Sequence, residues 1–436
     1  MTRQDRNASI ATPVSETERL EWLREREPSL LAEHGSPLFV VDEAELRRNY
    51  RDLRAALDEH YPDAEVHFAA KANYNLAVLS TLRDEGCGAE AYARCEFAAC
   101  DRAGFDPADV LLTGMNRRTE DVERALARGV EHLLVDNAAE LDRVVEAAAR
   151  TDTRPGVLVR ANPSMEVPTR PSIATATRES KFGLDVASGR AMAVAEAAAG
   201  SDRVELAGVQ LHVGSQIRGE EPYAVAAREL MAFAADVRDE TGVEIDVLDL
   251  GGGFPVAYDE PVPDTDSIVA TMGEAVREAA ADHGFPEPRL YLEPGRRLVA
   301  SAVTLLTTVG GVKETPYATF AVVDAGTNLV SSHWPHPVRA LTGDGPTREY
   351  DIAGPLCFTG DVHREGVELP ALEAGDVLAL DRVGAYSLGS ASNTNAEPRP
   401  EAVMWRTDDS VDVIQERETC EDVLASNRVP ADLDGE

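Results

Sequence analysis

Lysine occurs only three times in this chain, at Lys71, Lys181 and Lys313. Arginine supplies almost all the other positive charge, and because arginine keeps its proton in proteins, a retained lysine is a candidate for amine chemistry. Lys71 follows the short apolar run 66–70, which predicts a buried strand. An amine at the end of such a strand could form a Schiff base with a carbonyl compound. Taken alone, Lys71 would more often be an ordinary cation at a strand end, so its interpretation depends on its neighbours.

Short apolar runs alternate with Ala- and Glu-rich helical stretches between residues 43 and 300. Eight strands separated by helices are typical of a (β/α)8 TIM-like barrel, and eight units in about 250 residues fit it better than a doubly wound open sheet. We therefore predict a barrel domain over residues 36–300. Its predicted strands are 66–70, 88–92, 110–113, 132–135, 156–161, 207–213, 245–250 and 289–293.

Beyond Arg296 the pattern changes to β-like runs punctuated by glycine and proline. This change predicts a second, C-terminal, mostly β domain of barrel or sandwich type over residues 301–425. The fold class is therefore α/β plus β. The N-terminal residues 14–42, which contain the apolar run 38–41, could join the second domain.

Polar residues and glycines fall where the predicted barrel strands end. Chemistry in (β/α)8 barrels is carried by residues at the C-terminal ends of strands and in the loops that follow. Each of these residues alone would more often be structural, but their joint placement indicates one site. They are Lys71, Glu90, Arg160, His212, Gly251, Gly252, Gly253, Glu293, Gly295 and Arg296.

The glycine triplet 251–253 and the pair Gly295–Arg296 lie in the loops after strands 7 and 8. Barrels commonly bind phosphate with these two loops, because exposed backbone N–H groups there can approach an anion. A phosphorylated carbonyl cofactor within reach of Lys71 is therefore expected, and pyridoxal 5'-phosphate meets both requirements. Glu293 near the pyridine nitrogen would keep that nitrogen protonated and strengthen the electron sink. The five cysteines show no paired spacing, so neither a metal site nor a disulfide framework is expected.

Seven short motifs occur in a characteristic order between about residues 36 and 405. Together they resemble the fold-type III pyridoxal-phosphate decarboxylases, the family of ornithine, diaminopimelate and arginine decarboxylases. The motifs are His67–Asn73, Ser180–Gly183, His212–Gln216, Gly251–Pro255, Glu293–Arg296, Gly354–Cys357 with Gly360–Asp361, and Gly384–Tyr386.

The resemblance implies a role for each matching residue. Lys71 would hold the cofactor as an internal aldimine, His212 would stack on its ring, and Glu293 would pair with the ring nitrogen. Cys357 would return a proton to the substrate. The residues that would bind the phosphate are Ser215, Gly251, Gly252, Gly253, Gly295, Arg296 and Tyr386. Glu90 and Arg160 would also contact the cofactor. The residues that would contact substrate are Arg296, Asp361, Phe358 and Tyr386. The resemblance also implies a homodimer, since residues of the second domain would complete the partner's site.

Departures from the family pattern concern the substrate. Diaminopimelate decarboxylases usually have Cys-Glu-Ser where this chain has Cys357-Phe358-Thr359, and they carry an arginine after the Asp324–Asn328 motif that is missing here. A buried substrate carboxylate needs a cationic partner, so Arg339, Arg170 or His333 would replace it. Conversion of meso-diaminopimelate to L-lysine is the expected reaction. The alternatives are decarboxylation of another amino acid or of a conjugate such as a siderophore intermediate, a racemase, and a silent cofactor-binding homologue.

The net charge of −36 is spread along the whole chain. Such a surface repels nucleic acid and anionic membranes. It suits a halophilic protein, because concentrated salt screens charges within about 3 Å at 1 M. Neither a membrane span nor a signal peptide is indicated by the apolar runs, so a cytoplasmic protein that acts on a small amino acid is expected.

Overall fold

The computed structural model describes residues 16–165, 169–331, 333–430 and 433. These residues form two compact units. One unit is Leu46–Val299, and the other combines the segment up to Glu45 with the segment from Ala300 onward. The chain therefore leaves the second unit, forms the first one and returns.

The second unit begins with helix α1 (Glu16–His34) and strand β1 (Leu38–Asp42), and helix α2 (Glu43–His60) then leads into the first unit. Eight parallel strands of the first unit close into a barrel, in which every strand pairs with two neighbours and the β5–β6 pairing completes the ring. These strands are β2 (Ala64–Ala69), β3 (Gly88–Ala91), β4 (Val110–Leu112), β5 (His132–Val135), β6 (Gly156–Asn162), β8 (Glu205–Gln210), β9 (Val247–Asp249) and β10 (Arg289–Leu292), with a short β7 (Leu184–Asp185) beside β6. The predicted barrel is confirmed.

Helices of the first unit follow the strands and cover them. Their apolar faces are buried; on α8, for example, ten residues from Tyr223 to Val237 are inaccessible. The helices are α3 (Leu76–Asp84), α4 (Arg94–Ala103), α5 (Thr119–Arg128), α6 (Ala138–Thr151), α7 (Arg190–Ala199), α8 (Glu221–Thr241), α9 (Thr265–Asp282) and α10 (Arg296–Val299).

Apolar side chains fill the interior of the barrel below its polar rim. Six strands each contribute one residue to a buried cluster, formed by Leu111, Leu134, Leu158, Ala207, Val247 and Tyr291. A packed interior of this kind makes the barrel a rigid support and leaves the strand ends to carry chemistry. The polar residues expected at those ends are therefore held on fixed elements.

The second unit is mostly β, as predicted. Its strands are β11 (Val303–Glu314), β12 (Thr319–Val323), β13 (Val338–Ala340), β14 (Arg348–Ala353), β15 (Val362–Leu369), β16 (Val377–Leu380), β17 (Glu401–Trp405) and β18 (Val411–Gln415), followed by helix α11 (Cys420–Leu424). The sheet order is β15-β14-β12-β11-β1-β17-β18, with β16 on β11 and β13 on β16.

The N-terminal run 38–41 belongs to the β unit. Strand β1 pairs antiparallel with β11 and parallel with β17, so it lies inside that sheet. Helix α1 is fixed to the same unit by a buried ion pair, in which Arg19 Nη2 lies 2.7 Å from Asp381 Oδ2. Among the described residues, no helix is both long enough and apolar enough to cross a membrane.

Candidate active site

Lys71 lies just beyond strand β2, in a single 3₁₀ turn that spans Ala70–Ala72. Its amine donates a hydrogen bond of 2.5 Å to Glu90 Oε2. Glu90 is 1% exposed on the neighbouring strand β3, and its other carboxylate oxygen accepts from the Thr113 hydroxyl. The lysine is about one third exposed, whereas its partner is buried. The amine is therefore oriented by a fixed carboxylate and still reachable from the barrel mouth.

His212 follows strand β8 and faces the glycine loop after β9. Its Nδ1 accepts a hydrogen bond of 3.1 Å from the Gly252 backbone N–H, so the ring carries its proton on Nε2. Desolvation by the surrounding protein, together with the positive charges of Arg160 and Lys71, lowers the pKa of His212 to about 3. The imidazole is therefore neutral at physiological pH. A flat, neutral ring suits stacking on an aromatic ligand.

The glycine triplet forms a close-packed cradle. A Cβ at Gly252 would lie 2.2 Å from the Glu293 carbonyl oxygen, and one at Gly253 would lie 2.5 Å from the Gly214 carbonyl oxygen. Gly251 and Gly253 also adopt positive φ values of 65° and 93°, which side chains other than glycine rarely tolerate. Only glycine fits here, and the N–H groups of Gly251 and Gly252 donate to Asp249 Oδ1 and His212 Nδ1.

Arg296 and Ser215 converge beside this cradle. The Arg296 Nε and Nη2 atoms each lie 3.4 Å from Ser215 Oγ, and its Nη1 donates to the Tyr258 hydroxyl at 2.9 Å. Arg296 is the first residue of α10 and is 6% exposed. A buried guanidinium beside a serine hydroxyl is a donor set that suits phosphate. Gly295, immediately before Arg296, is also buried.

Glu293 directly follows strand β10 and lies beside side chains from strands β8 and β9. Gln210 Nε2 donates to Glu293 Oε1 at 2.9 Å, and the buried Asp249 carboxyl group, whose Oδ1 accepts from the Gly251 N–H at 2.8 Å, lies close enough to Glu293 for each to change the pKa of the other. Burial raises the pKa of Asp249 well above its usual range, and the nearby charge of Glu293 raises it further. Burial and the Glu90 charge also raise the pKa of Glu293. We infer that Asp249 carries the proton of this pair and that Glu293 is the ionised carboxylate.

This assignment predicts how Asp249→Asn changes stability with pH. Since the folded chain keeps a proton that the unfolded aspartate releases above about pH 4, the wild type should lose about 1.4 kcal/mol of unfolding free energy per pH unit between the unfolded and folded pKa values. Asparagine does not titrate, and its amide oxygen can accept the hydrogen bond that Asp249 Oδ1 accepts from the Gly251 N–H. The unfolding free energy of Asp249→Asn should therefore rise relative to wild type as pH increases through that window.

Denaturant unfolding of the cofactor-free protein at constant salt, from pH 4 to pH 8, measures this difference. Asp246→Asn is the control, because Asp246 lies three positions earlier and is exposed. It gives the change in unfolding free energy that results from the loss of one surface carboxylate. Parallel stability curves for wild type and Asp249→Asn would show that Asp249 is ionised in the folded protein.

Arg160, on strand β6, completes the polar rim. Its Nη1 lies 3.3 Å from Asp136 Oδ2, and its guanidinium carbon lies 4.7 Å from the centre of the Phe182 ring. Asp136 also accepts from the Gly183 N–H at 3.1 Å, and burial raises its pKa while the Arg160 charge opposes that change. Arg160 is thus held by the loop that carries Ser180–Gly183.

The other predicted residues lie on the β unit. Cys357 is exposed, and Phe358 next to it is 61% exposed, a high value for an aromatic side chain. Asp361 is instead 3% exposed and holds the loop together: its carboxylate accepts from the N–H of Thr327 and from the N–H of Leu356, both at 2.7 Å. The loop is rigid at its base and presents a thiol and an aromatic ring at its tip.

Tyr386 also lies on the β unit, with a positive φ of 57°. The N–H of the neighbouring Gly384 donates to the Ala300 carbonyl at 3.1 Å, which fixes the segment. The three residues considered for the missing distal arginine are all exposed: Arg170 is in the loop after β6, and His333 and Arg339 are on the β unit. His333 Nδ1 is 2.7 Å from the Ser331 hydroxyl.

The barrel residues fit pyridoxal 5'-phosphate. The Arg296–Ser215 pair beside the glycine loop could bind the phosphate of this cofactor. The reachable Lys71 amine could bind its aldehyde, and the buried Glu293 carboxylate could pair with its ring nitrogen. The pyridoxal-binding domain of the pyridoxal-dependent decarboxylases matches residues 43–300. The chain belongs to this decarboxylase family. Its cofactor is pyridoxal 5'-phosphate.

Relatives of this decarboxylase share almost its whole length. The diaminopimelate decarboxylase of Methanothermobacter thermautotrophicus is 37% identical over 93% of this chain and 94% of its own, and that of Pseudomonas aeruginosa is 36% identical over 90% and 92%. The diaminopimelate decarboxylase of M. jannaschii, solved with L-lysine, superposes with a TM-score of 0.87 at 32% identity, covering 93% and 95% of the two chains. A lysine/ornithine decarboxylase from Vibrio vulnificus, solved with putrescine, gives a TM-score of 0.76 at 26% identity, covering 90% and 99%.

The decarboxylase site also contains residues that sequence reasoning missed. Asp136 and Asp249 stand at the ends of strands β5 and β9, so the rule that selected Glu90 could have selected them. Gln210 ends strand β8 and could have been found in the same way. Tyr258 lies in an irregular loop, and nothing in the local sequence marks it as a partner of Arg296.

Proposed function

We propose that this enzyme decarboxylates meso-diaminopimelate to L-lysine. Close similarity over more than nine tenths of the chain to diaminopimelate decarboxylases carries the proposal. The barrel geometry supports the reaction type, because a carboxylate rather than an arginine lies where the ring nitrogen would be held. Glu293 is 6% exposed and would retain a positive charge on that nitrogen, as decarboxylation requires.

The bound cofactor supplies an electron sink for the pair of electrons left when the substrate carboxylate departs. The residues of the chain bind the cofactor and orient the reacting groups. Arg296, Ser215 and the Gly253 end of the glycine loop would bind the phosphate, since the N–H groups of Gly251 and Gly252 already donate to Asp249 and His212. His212 would stack its neutral ring on the cofactor plane. Glu90 would hold the Lys71 amine in place, and Lys71 would move protons at the reacting carbon once the substrate amine has replaced it.

Cys357 would return the proton to the reacting carbon from a second copy of the chain. Its loop supports this role, since Asp361 fixes the base while Cys357 and Phe358 remain exposed at the tip. A rigid, partly apolar tip of this kind is suited to entering a neighbouring subunit. We therefore expect a homodimer with two shared sites, in which Phe358 and Tyr386 of one copy line the substrate site of the other, close to Arg296. Asp361 would act there by positioning the loop.

The distal carboxylate of diaminopimelate still needs a cation. Arg170 stands on the barrel unit, whereas Arg339 and His333 stand on the β unit, so in a shared site either subunit could supply it. The lysine/ornithine decarboxylase from V. vulnificus has the same fold, which makes a substrate without a distal carboxylate the second candidate. Phe358 favours that candidate, because it stands where diaminopimelate decarboxylases usually have a glutamate.

Carbon dioxide release distinguishes these substrates. In molar salt with pyridoxal phosphate, we expect turnover of meso-diaminopimelate at least about 10²-fold above lysine, ornithine and arginine in kcat/KM, because a site built around a charged distal group rejects a substrate that leaves that group unpaired. Measurement of labelled carbon dioxide from each amino acid provides the comparison. Faster turnover of lysine or ornithine would overturn the substrate assignment and leave the reaction type in place.

We further propose that the enzyme works in the cytoplasm of a cell with concentrated internal salt and does not bind nucleic acid. The net charge of −36 supports both statements, since it repels polyanions and requires screening for compact folding. The five cysteines are all free thiols in the structure, which suits a reducing compartment.

A further inference from the structure

A pocket of about 640 Å³ lies between helices α4 and α5, on the outer side of strands β3 and β4. None of the cofactor-site residues described above lines it. Its deepest side chains are apolar, with Phe97 at 8% exposure and Leu112 at 5%. This volume falls in the range of about 300–1,000 Å³ that is typical of small-molecule sites.

Positive charge is concentrated around this pocket. Although the chain carries a net charge of −36, the lining has six cationic side chains and only two anionic ones, Asp101 and Asp121. The cations are Arg94, Arg117, Arg118, Arg124, Arg128 and Lys181. A cluster of this sign stands out on a protein that otherwise displays carboxylates.

Two of these cations already have partners in the fold. Arg117 is 3.3 Å from the buried Glu140 carboxylate and donates to the Leu112 carbonyl at 2.8 Å, so it holds the loop after β4. Arg128 is paired with Asp101 on the neighbouring helix. These contacts explain their presence without any ligand.

Arg94, Arg118 and Arg124 have no such explanation. All three are exposed at the pocket, and within the described residues none of them makes an ion pair. Arg118 is also the N-cap residue of the ten-residue helix α5, and its side chain provides no acceptor for the first N–H groups of that helix. Free N–H groups and the positive end of the helix dipole therefore add to the guanidinium charges.

We propose that this pocket binds an organic anion that has a carboxylate or phosphate group and an apolar body. The anionic group would be bound by Arg118 and Arg124 at the start of α5, and the apolar body would cover Phe97 and Leu112. In concentrated salt, only direct contacts in a partly desolvated pocket hold an anion, because charge effects beyond about 3 Å are screened at 1 M. Bidentate guanidinium contacts meet that requirement.

The probe for this site is 8-anilinonaphthalene-1-sulfonate, an aromatic anion that fluoresces in apolar surroundings. The holoenzyme should bind one probe per chain at constant molar salt. The double variant Arg118→Gln/Arg124→Gln should weaken that binding about tenfold or more, since charge-assisted contacts are roughly twice as strong as neutral ones. The uncharged analogue N-phenyl-1-naphthylamine should bind wild type and double variant equally.

Arg102→Gln is the matched control, because Arg102 is an exposed arginine on α4 that does not line the pocket. It should leave probe affinity unchanged. Competition by 1-naphthoate and by 1-naphthyl phosphate then shows whether the carboxylate or the phosphate is preferred. Circular dichroism of the double variant verifies that it is folded.

Three results would overturn the proposal. Equal probe affinity in wild type and double variant would place the probe elsewhere. Displacement of the probe by saturating meso-diaminopimelate or L-lysine would assign the pocket to the substrate site. A loss of the dimer in the double variant, seen by sedimentation, would make the pocket a contact between copies. None of these readouts depends on turnover, so failure of the substrate assignment is distinguishable from failure of this site.

Discussion

Lys71→Ala should abolish decarboxylation and remove the visible absorbance of the lysine-bound cofactor. The variant loses both the covalent attachment point and a proton carrier at the reacting carbon. Because proton transfer alone typically contributes about 10²–10⁴-fold, we expect kcat to fall by at least about 10⁴-fold. Absorbance spectra and carbon dioxide release from the purified variant provide the two measurements.

The scarcity of lysine gives this experiment a clean control. Lys313 is exposed on strand β11 of the β unit, and within the described part of the chain it forms no ion pair. Lys313→Ala should keep both the spectrum and the rate. If Lys71→Ala retained the visible band, the cofactor would be attached to another amine and the assignment of Lys71 would be wrong.

The Lys71→Ala variant also tests how much the ion pair with Glu90 contributes to stability. Lysine and glutamate lie 2.5 Å apart, and Glu90 is buried. Removal of the amine leaves a buried carboxylate that accepts from the Thr113 hydroxyl but has lost its cationic partner, an arrangement that costs stability. The cofactor-free variant should therefore unfold at lower denaturant concentration than the wild type, whereas Lys313→Ala should not.

The barrel could be predicted because the same sequence pattern, an apolar run followed by a helical stretch, occurs many times along the chain. Eight apolar runs that alternate with helical stretches specify strands whose bounds agree with the structure within a few residues. The rule that chemistry follows strand ends selected Lys71, Glu90 and Glu293 as candidates. The glycine triplet could likewise be identified from the sequence as part of the candidate site, because three consecutive glycines have few purely structural roles. These features depend on local sequence and on one topological rule.

Other features depend on contacts between distant segments. The hydrogen bond of Gln210 to Glu293 joins residues 83 positions apart, and that of Arg296 to Tyr258 joins residues 38 positions apart. The pairing of β1 with β11 and β17 likewise brings together segments from the two ends of the chain. Periodicity contains no information on such pairings. The assignment of the proton to Asp249 also required the fold, because burial beside Glu293 is what raises its pKa.

Asp361 shows how a motif residue can act indirectly. The sequence pattern placed it near the substrate, whereas its carboxylate binds backbone N–H groups at Thr327 and Leu356. A carboxylate occupied in this way holds the loop that presents Cys357. Its contribution to substrate binding stays a prediction, and the geometry favours a positioning role.

Cys357→Ala should leave the cofactor spectrum intact and reduce turnover. If the thiol returns the proton to the reacting carbon, its loss should lower kcat by about 10²–10⁴-fold, the usual contribution of a positioned acid. Since Cys357 is exposed at the loop tip, the substitution should not change the stability of the β unit. Cys420, an exposed thiol on helix α11, offers the matched control Cys420→Ala, which should be fully active.

Co-expression of Lys71→Ala and Cys357→Ala chains with different affinity tags tests whether the sites are shared. In a shared arrangement, the purified mixed dimer has one site with both substitutions and one site with neither, so it should have about half of the wild-type activity per dimer. If each site were built from a single chain, both sites of the mixed dimer would carry one substitution and activity would stay at the level of the single variants. Recovery of activity from two inactive chains therefore requires that Lys71 of one subunit work with Cys357 of the other.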